Sequence, residues 1–203
     1  MNGTGITPNL SSLSAGFESP ALASQHVFRA ALEALARPGR IARVAAVADA
    51  PAELEPAACA LALALLDQDT TLWLSPALAA GQAGAYLRFH TGCRLADAPA
   101  SADFAIAEAH ELPPLDAFSS GSEDYPDRSA TVIVQVGELR EGEGWALEGP
   151  GVRGTARLRV AGLGSEFTAA WKSNLARFPR GIDLFLACGR ELCGLPRTVR
   201  IGG

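Results

Sequence analysis

The run Thr131-Val132-Ile133-Val134-Gln135-Val136 constrains this chain more than any other stretch, because four of its six side chains are β-branched and apolar. Isoleucine and valine lose rotamer freedom in a helix and pack well on a pleated surface, so the run predicts a strand. A strand without a sustained polar face needs cover on both sides. That places it in the interior of a layered sheet.

The rest of the chain supplies candidate cover. Ser19 before Pro20 marks a helix start, with Phe28, Leu32 and Leu35 at helical spacing and Leu32 and Leu35 as core positions, until Arg37-Pro38-Gly39 ends it. A strand is expected over 41–47, a buried helix over 53–67 and a short strand over 70–74. Ser75-Pro76 then caps a short helix ending near Gly81 or Gly84. Residues 103–107 read as another strand, and 112–128 as loop with a short helix around 115–118. Residues 145–147 and 156–160 read as two strands joined by a turn. A third strong helix starts from a Ser165 cap and carries Phe167, Trp171, Leu175 and Phe178 up to Pro179. Strands over 182–187 and 197–201 complete the set. Helices interleaved with strands, plus a hairpin, predict a three-layer α/β/α sandwich with a mixed sheet. Residues 1–18, rich in Ser, Gly, Asn and Thr, read as a flexible arm, and 19–203 as one α/β domain.

Composition narrows the function. A chain of 203 residues with 48% hydrophobic side chains can bury one sizeable core. Its net charge of -5 argues against nucleic acid or an anionic membrane as partner. The strongest apolar run, 57–66, falls short of the roughly 20 residues that cross a bilayer. The first 28 residues carry no basic side chain of the kind that opens a secretory signal, so a cytoplasmic protein is expected. Cys59, Cys93, Cys188 and Cys193 are too sparse for a secreted disulfide framework and read as reduced thiols.

Gly149-Pro150-Gly151-Val152-Arg153-Gly154 matches the dinucleotide fingerprint G-x-G-x-x-G, which works only between a strand and a helix N-terminus. The next six residues, Thr155-Ala156-Arg157-Leu158-Arg159-Val160, alternate as a strand does. A glycine-rich hairpin turn is therefore expected and no nicotinamide or flavin site. Lys172, the one lysine among 17 basic residues, falls inside a predicted helix without a preceding phosphate loop, so neither a Schiff base nor a P-loop is expected of it. His90 with Cys93, Cys188 and Cys193 is a weak zinc set, because the cysteine gap is long and only one histidine is at hand. No catalytic, cofactor or metal residue is assigned.

More suggestive are arginines on rigid turns: Arg37-Pro38-Gly39, Pro179-Arg180-Gly181 and Leu195-Pro196-Arg197-Thr198. An arginine held at a turn loses little entropy on gripping an anion or a carboxylate such as Asp183. Arg37, Arg180, Asp183, Arg197 and Thr198 are accordingly the candidate residues for anion binding or for an interface.

Taken in order, several segments resemble the PhnH family, the H subunit of the carbon–phosphorus lyase core complex. They are Phe28-Arg29 with Leu35-Ala36-Arg37-Pro38-Gly39, Leu65-Leu66-Asp67 with Thr70, Phe89-His90-Thr91-Gly92 and Ala102-Asp103-Phe104-Ala105. To these are added Tyr125-Pro126-Asp127 with Ser129-Ala130-Thr131, Gly149-Pro150-Gly151, Trp171 with Asn174, Phe178-Pro179-Arg180-Gly181-Ile182-Asp183 and Leu195-Pro196-Arg197-Thr198. The resemblance implies a fold related to the large domain of pyridoxal-phosphate-dependent transferases, without the cofactor. It also implies a homodimer and assembly with the G, I and J subunits. The implied role is accessory: support for attaching phosphonate to the ribose of ATP before C–P cleavage, with no independent catalysis. The competing reading is an enzyme or binding protein for a phosphorylated small molecule, gripped through Arg37, Arg180 or Arg197. A free-standing pyridoxal-phosphate enzyme using Lys172 is the third.

Overall fold

Thr131–Gln135 is the middle strand of a seven-stranded sheet, with Val132, Ile133 and Val134 all buried. The computed structural model describes residues 16–202 apart from 18, 46, 48 and 49. In chain order the described elements are α1 (Pro20–Ala36), β1 (Ala42–Arg43), α2 (Pro56–Leu65), β2 (Thr71–Leu74), α3 (Pro76–Ala80), α4 (Ala83–Thr91), β3 (Arg94–Leu95) and β4 (Phe104–Glu108). Then come β5 (Thr131–Gln135), β6 (Glu138–Glu148), β7 (Ala156–Ala161), α5 (Phe167–Leu175), β8 (Asp183–Cys188), β9 (Glu191–Leu195) and β10 (Arg200–Gly202). Single 3₁₀ turns at Pro99–Ser101, Ala109–Glu111, Leu115–Ala117 and Pro126–Arg128 punctuate the connections.

The large sheet runs β1-β9-β8-β5-β4-β2-β3. From β8 to β3 its neighbours are parallel, while β9 pairs antiparallel with both β8 and β1. The sheet is mixed, as the sequence predicts. Side-chain alternation divides the core in two. Ile106, Ile133 and Phe185 face α1, α2 and α4, and Ala105, Val132, Val134, Leu184 and Leu186 face the other way. That second face meets α5, through Phe167 and Trp171, and a three-stranded antiparallel sheet ordered β10-β6-β7, through Ile201, Leu147 and Leu158. The expected α/β/α sandwich is met on one face only; on the other, a small sheet shares the covering with a single helix. The predicted hairpin is longer than expected because Gly142 (φ 94°) and Gly144 (φ 81°) carry β6 through a bulge that would otherwise end it.

The largest departure concerns α1. Its spacing predicts Leu32 as a core residue, yet Leu32 and Phe28 are exposed, Leu35 is half-buried, and the buried positions are Val27, Ala31 and Ala34. The cause lies on β9: a Cβ on Gly194 would come within 2.5 Å of the Ala34 carbonyl carbon. The helix backbone sits directly on the sheet there, and only alanine-sized side chains fit beneath it.

Other differences are smaller. The expected strand over 41–47 shortens to Ala42–Arg43, although Val44 and Val47 still reach the core. The predicted caps at Ser19 and Ser75 make no side-chain capping bond, and the helix expected from Ser165 begins at Phe167 with Glu166 before it. Phe178 falls beyond that helix and is exposed. The last strand is Arg200–Gly202, because Arg197 and Thr198 belong to a turn closed by the Val199 amide on the Pro196 carbonyl. Of the expected arm, residues 1–15 and 18 lie outside the described residues, while Phe17 packs against the helical side of the core.

Candidate functional site

Among the described residues, three charged places bear on the predicted site residues or the sheet's ligand-receiving end, and each treats charge differently. The first lies at the carboxyl ends of the parallel strands, where α/β sheets commonly receive ligands. Strand order reverses at β2, which is flanked by β3 on one side and β4 on the other. The chain's own acids occupy this region. The Glu111 carboxylate accepts the Ala77 amide at 3.0 Å, and this bond, then the Ser75 hydroxyl, holds its pKa below the ordinary carboxylate value. Buried Gln135 donates to the Glu108 carboxylate at 2.6 Å and to the Glu53 carbonyl at 3.0 Å, and accepts the Glu55 amide at 2.7 Å. Glu55 in turn accepts the Gly189 amide at 2.8 Å. A cavity of about 300 Å³ opens beside Glu55, Glu108, His110 and Gln135. Its charge and its satisfied hydrogen bonds do not favour a phosphate.

The second place gathers four of the five predicted residues. Arg197 donates from Nε to both Asp183 oxygens at 3.2 Å and from Nη2 to Oδ2 at 2.6 Å. Its remaining donors reach the Pro126 carbonyl at 2.8 Å, the Pro179 carbonyl at 3.3 Å and the Ser129 hydroxyl at 2.6 Å. The Arg197 amide also donates to Asp183 Oδ1 at 2.7 Å. Their side chains are only 13% and 23% exposed, so the pair joins the turn after β9, the start of β8 and the loop before β5. A guanidinium used this fully is a brace rather than a ligand grip. Asn174 on α5 completes the joint: its Nδ2 donates to the Ile182 carbonyl at 2.9 Å and its Oδ1 accepts the Ile182 amide at 2.9 Å. Trp171 Nε1 donates to the Val199 carbonyl at 2.8 Å. Thr198 is half-buried on the same turn, its carbonyl against Gly149, where a Cβ would come within 2.8 Å. Arg180 is half-buried, and its side chain has no hydrogen bond or ion pair among the described residues.

The third place holds Arg37. The turn Arg37-Pro38-Gly39-Arg40 faces the β6–β7 hairpin across a cleft of about 610 Å³, with Arg153 and Arg157 on the hairpin side. Arg37 reaches Glu33 one helical turn back at 2.9 Å, an exposed contact of a few tenths of a kcal/mol, on the order of 0.3. Arg157 spends one donor on the Gly144 carbonyl at 3.3 Å. Arg40 and Arg153 make no side-chain hydrogen bond or ion pair among the described residues. The five predicted residues therefore do not form one site: Arg180, Asp183, Arg197 and Thr198 cluster around a structural joint, and Arg37 lines a separate cleft. Arg40, Arg153 and Arg157, absent from the predicted set, are its other cations. The signal for them is the pairing of two glycine turns across 110 residues, and no local pattern carries that.

The weak zinc set is dispersed. Cys93 belongs to the helical-side core and Cys193 to the opposite one, and among the described residues no three His, Cys, Asp or Glu side chains are placed to share a metal. Lys172 is exposed on α5. The glycine-rich segment after β6 leads into β7 and not into a helix, so the dinucleotide fingerprint is a hairpin turn. Among the described residues no helix is long and apolar enough to cross a membrane.

Comparison with known proteins places the chain in a family. The model described as "Bacterial phosphonate metabolism protein (PhnH)" matches residues 15–202. A Rhizobium meliloti (strain 1021) protein named "Alpha-D-ribose 1-methylphosphonate 5-triphosphate synthase subunit PhnH" is 40% identical over 189 residues, covering 93% of this chain and 94% of that protein. A Stutzerimonas stutzeri protein, HtxG, named as a candidate C-P lyase subunit, is 33% identical over 188 residues, covering 87% of this chain and 85% of its own length.

Proposed function

The chain belongs to the PhnH family, and from that premise we propose that it serves phosphonate catabolism as a subunit of the carbon–phosphorus lyase system. The observation that carries this reading is the continuous match over nearly the whole described domain, together with a relative that is named as a synthase subunit rather than as an enzyme. In this role the protein supports the coupling of phosphonate to the ribose of ATP, in an assembly with G, I and J subunits, and performs no chemistry alone. The fully engaged Arg197 and the satisfied acidic cluster support an accessory part.

Self-association as a homodimer belongs to the same proposal. The exposed stripe of Leu22, Phe28 and Leu32 on α1 is material for an isologous contact. Light scattering should return about twice 21.0 kDa, and a monomer mass at every concentration would remove the dimer. A fold related to pyridoxal-phosphate-dependent transferases, with a cytoplasmic location, completes the proposal. The parallel strands β2, β4, β5 and β8 beside an antiparallel edge support that kinship.

The decisive experiment removes the gene and supplies methylphosphonate as sole phosphorus source. Growth should stop, the purified chain should not transform phosphonates or ATP, and tagged chain from phosphate-starved cells should carry the other subunits with it. Arg180→Glu, at a cation with no partner among the described residues, should reduce that co-purification. Vigorous turnover by the lone chain would sink the subunit reading.

A further inference from the structure

We propose that the cleft between the Arg37-Pro38-Gly39-Arg40 turn and the β6–β7 hairpin binds the polyphosphate group of an organic phosphate ester. The charge balance is the first argument. Arg37, Arg40, Arg153 and Arg157 line it against one lining carboxylate, Glu141, with Glu33 paired to Arg37 at 2.9 Å from outside the lining, in a chain whose net charge is -5. Glu141 is itself engaged, accepting the Ile41 amide at 2.7 Å. Four cations brought together in an acidic protein repel one another, and an anion of several charges removes that cost.

Construction is the second argument. Gly151 (φ 81°) lies so close to the end of α1 that a Cβ there would sit 2.1 Å from the Ala36 carbonyl oxygen. Gly39 (φ 84°) approaches the hairpin from the other side, where a Cβ would meet Ala156 Cβ at 2.8 Å. Two glycines thus lock the walls together and fix the cleft before any ligand arrives. Its volume of about 610 Å³ is in the range of small-molecule sites. Arg40 on one wall and Arg153 on the other keep their donor forks unspent, which suits bidentate contact with phosphoryl oxygens. Opposed forks across a depression fit a compact chain of tetrahedral anions better than an extended acidic peptide. The choice of a triphosphate ester rests on the proposed function, since the relative's name includes a ribose 5-triphosphate; the cleft's preference for a polyanion does not.

Calorimetric titration of the full chain with ATP, inorganic tripolyphosphate and inorganic phosphate tests the assignment. ATP and tripolyphosphate should saturate at one per chain, with inorganic phosphate far weaker. Arg40→Gln and Arg153→Gln should each weaken binding about tenfold or more without moving the melting temperature. Arg190→Gln, on the β8–β9 turn and outside the cleft lining, should leave binding intact. Tripolyphosphate binding without a preference for ATP would place the recognition in the phosphates alone and still support the cleft. Lack of saturable binding by the wild type, undiminished binding by the two variants, or an equal loss in Arg190→Gln overturns the proposal, as does binding of a polyglutamate peptide alone. Loss of growth on deletion with no polyphosphate binding would retain the subunit role and discard the site. Binding by a protein dispensable for growth would do the reverse.

Discussion

Arg197 and Arg40 both follow a proline or glycine turn, yet one is spent and the other is idle. Arg197 delivers its donors to Asp183, Ser129 and two carbonyls inside the protein. Arg40 lines an open cleft and gives its side-chain donors to no group among the described residues. A sequence motif containing a turn arginine therefore does not distinguish a brace from a grip. What distinguishes them is how many donors the fold has already used, and that count separates effects on stability from effects on ligands.

The contrast is sharpest in stability. Arg197→Ala leaves the Asp183 carboxylate largely buried without its cation, and should cost about 3–4 kcal/mol, lowering the melting temperature by roughly 10 °C. A loss below about 1 kcal/mol would break the distinction. Gly151→Ala comes next, at about 2–3 kcal/mol, because its Cβ meets a backbone oxygen and its φ is left-handed. That variant should also widen the cleft, so a matching fall in tripolyphosphate affinity would connect the glycine lock to the arginines.

Alkali offers a smaller test that neither arginine should influence. Burial pushes the Cys59 and Cys193 thiols from 9.0 up to about 12. Between those values only the unfolded chain releases the two protons, so stability is fully present below about pH 9 and falls as pH rises through the window, by about 1 kcal/mol per thiol at pH 10. Arginine stays charged there, so urea midpoints of wild type and Arg40→Gln should decline in parallel. The smallest expected effect is on Arg40→Gln and Arg153→Gln themselves: less than about 0.5 kcal/mol on folding, by denaturant titration. A larger loss would mean that the cleft arginines are braces after all.

Much of the architecture is legible in the sequence because its signals are local. The β-branched density of Thr131–Gln135, the Ser19-Pro20 start of α1 and the alternation after Gly154 each report on their own neighbourhood. The features that escape prediction depend on distant partners. The start of α4 is capped by the Glu53 carboxylate, which accepts the Gln82 amide and, at 2.8 Å, the Ala83 amide, so its signal lies some thirty residues away. Strand β9, which is not among the expected elements, carries Gly194, the seat for α1. Arg197 and Asp183 are legible as a pair because each stands beside a proline or glycine turn in the sequence, Pro196-Arg197 and Pro179-Arg180-Gly181-Ile182-Asp183. Arg40 and Arg153 are not, since only the closed fold brings their turns together.

The two sheets share a dependence on one segment. Residues 191–195 supply the strand that joins β1 to β8, and 200–202 supply the third strand of the small sheet against Ala146, Leu147 and Glu148. Without residues 191–202 the chain keeps all the parallel strands but lacks β9, and its hairpin has a bare outer edge. Ala42 waits for Leu192, and Glu148 for Arg200. Such long-range closures are slow and leave unpaired strand edges in the interim. Closure of both sheets therefore depends on the same residues, 191–202, and a chain lacking them would carry open strand edges on the large sheet and the small one alike.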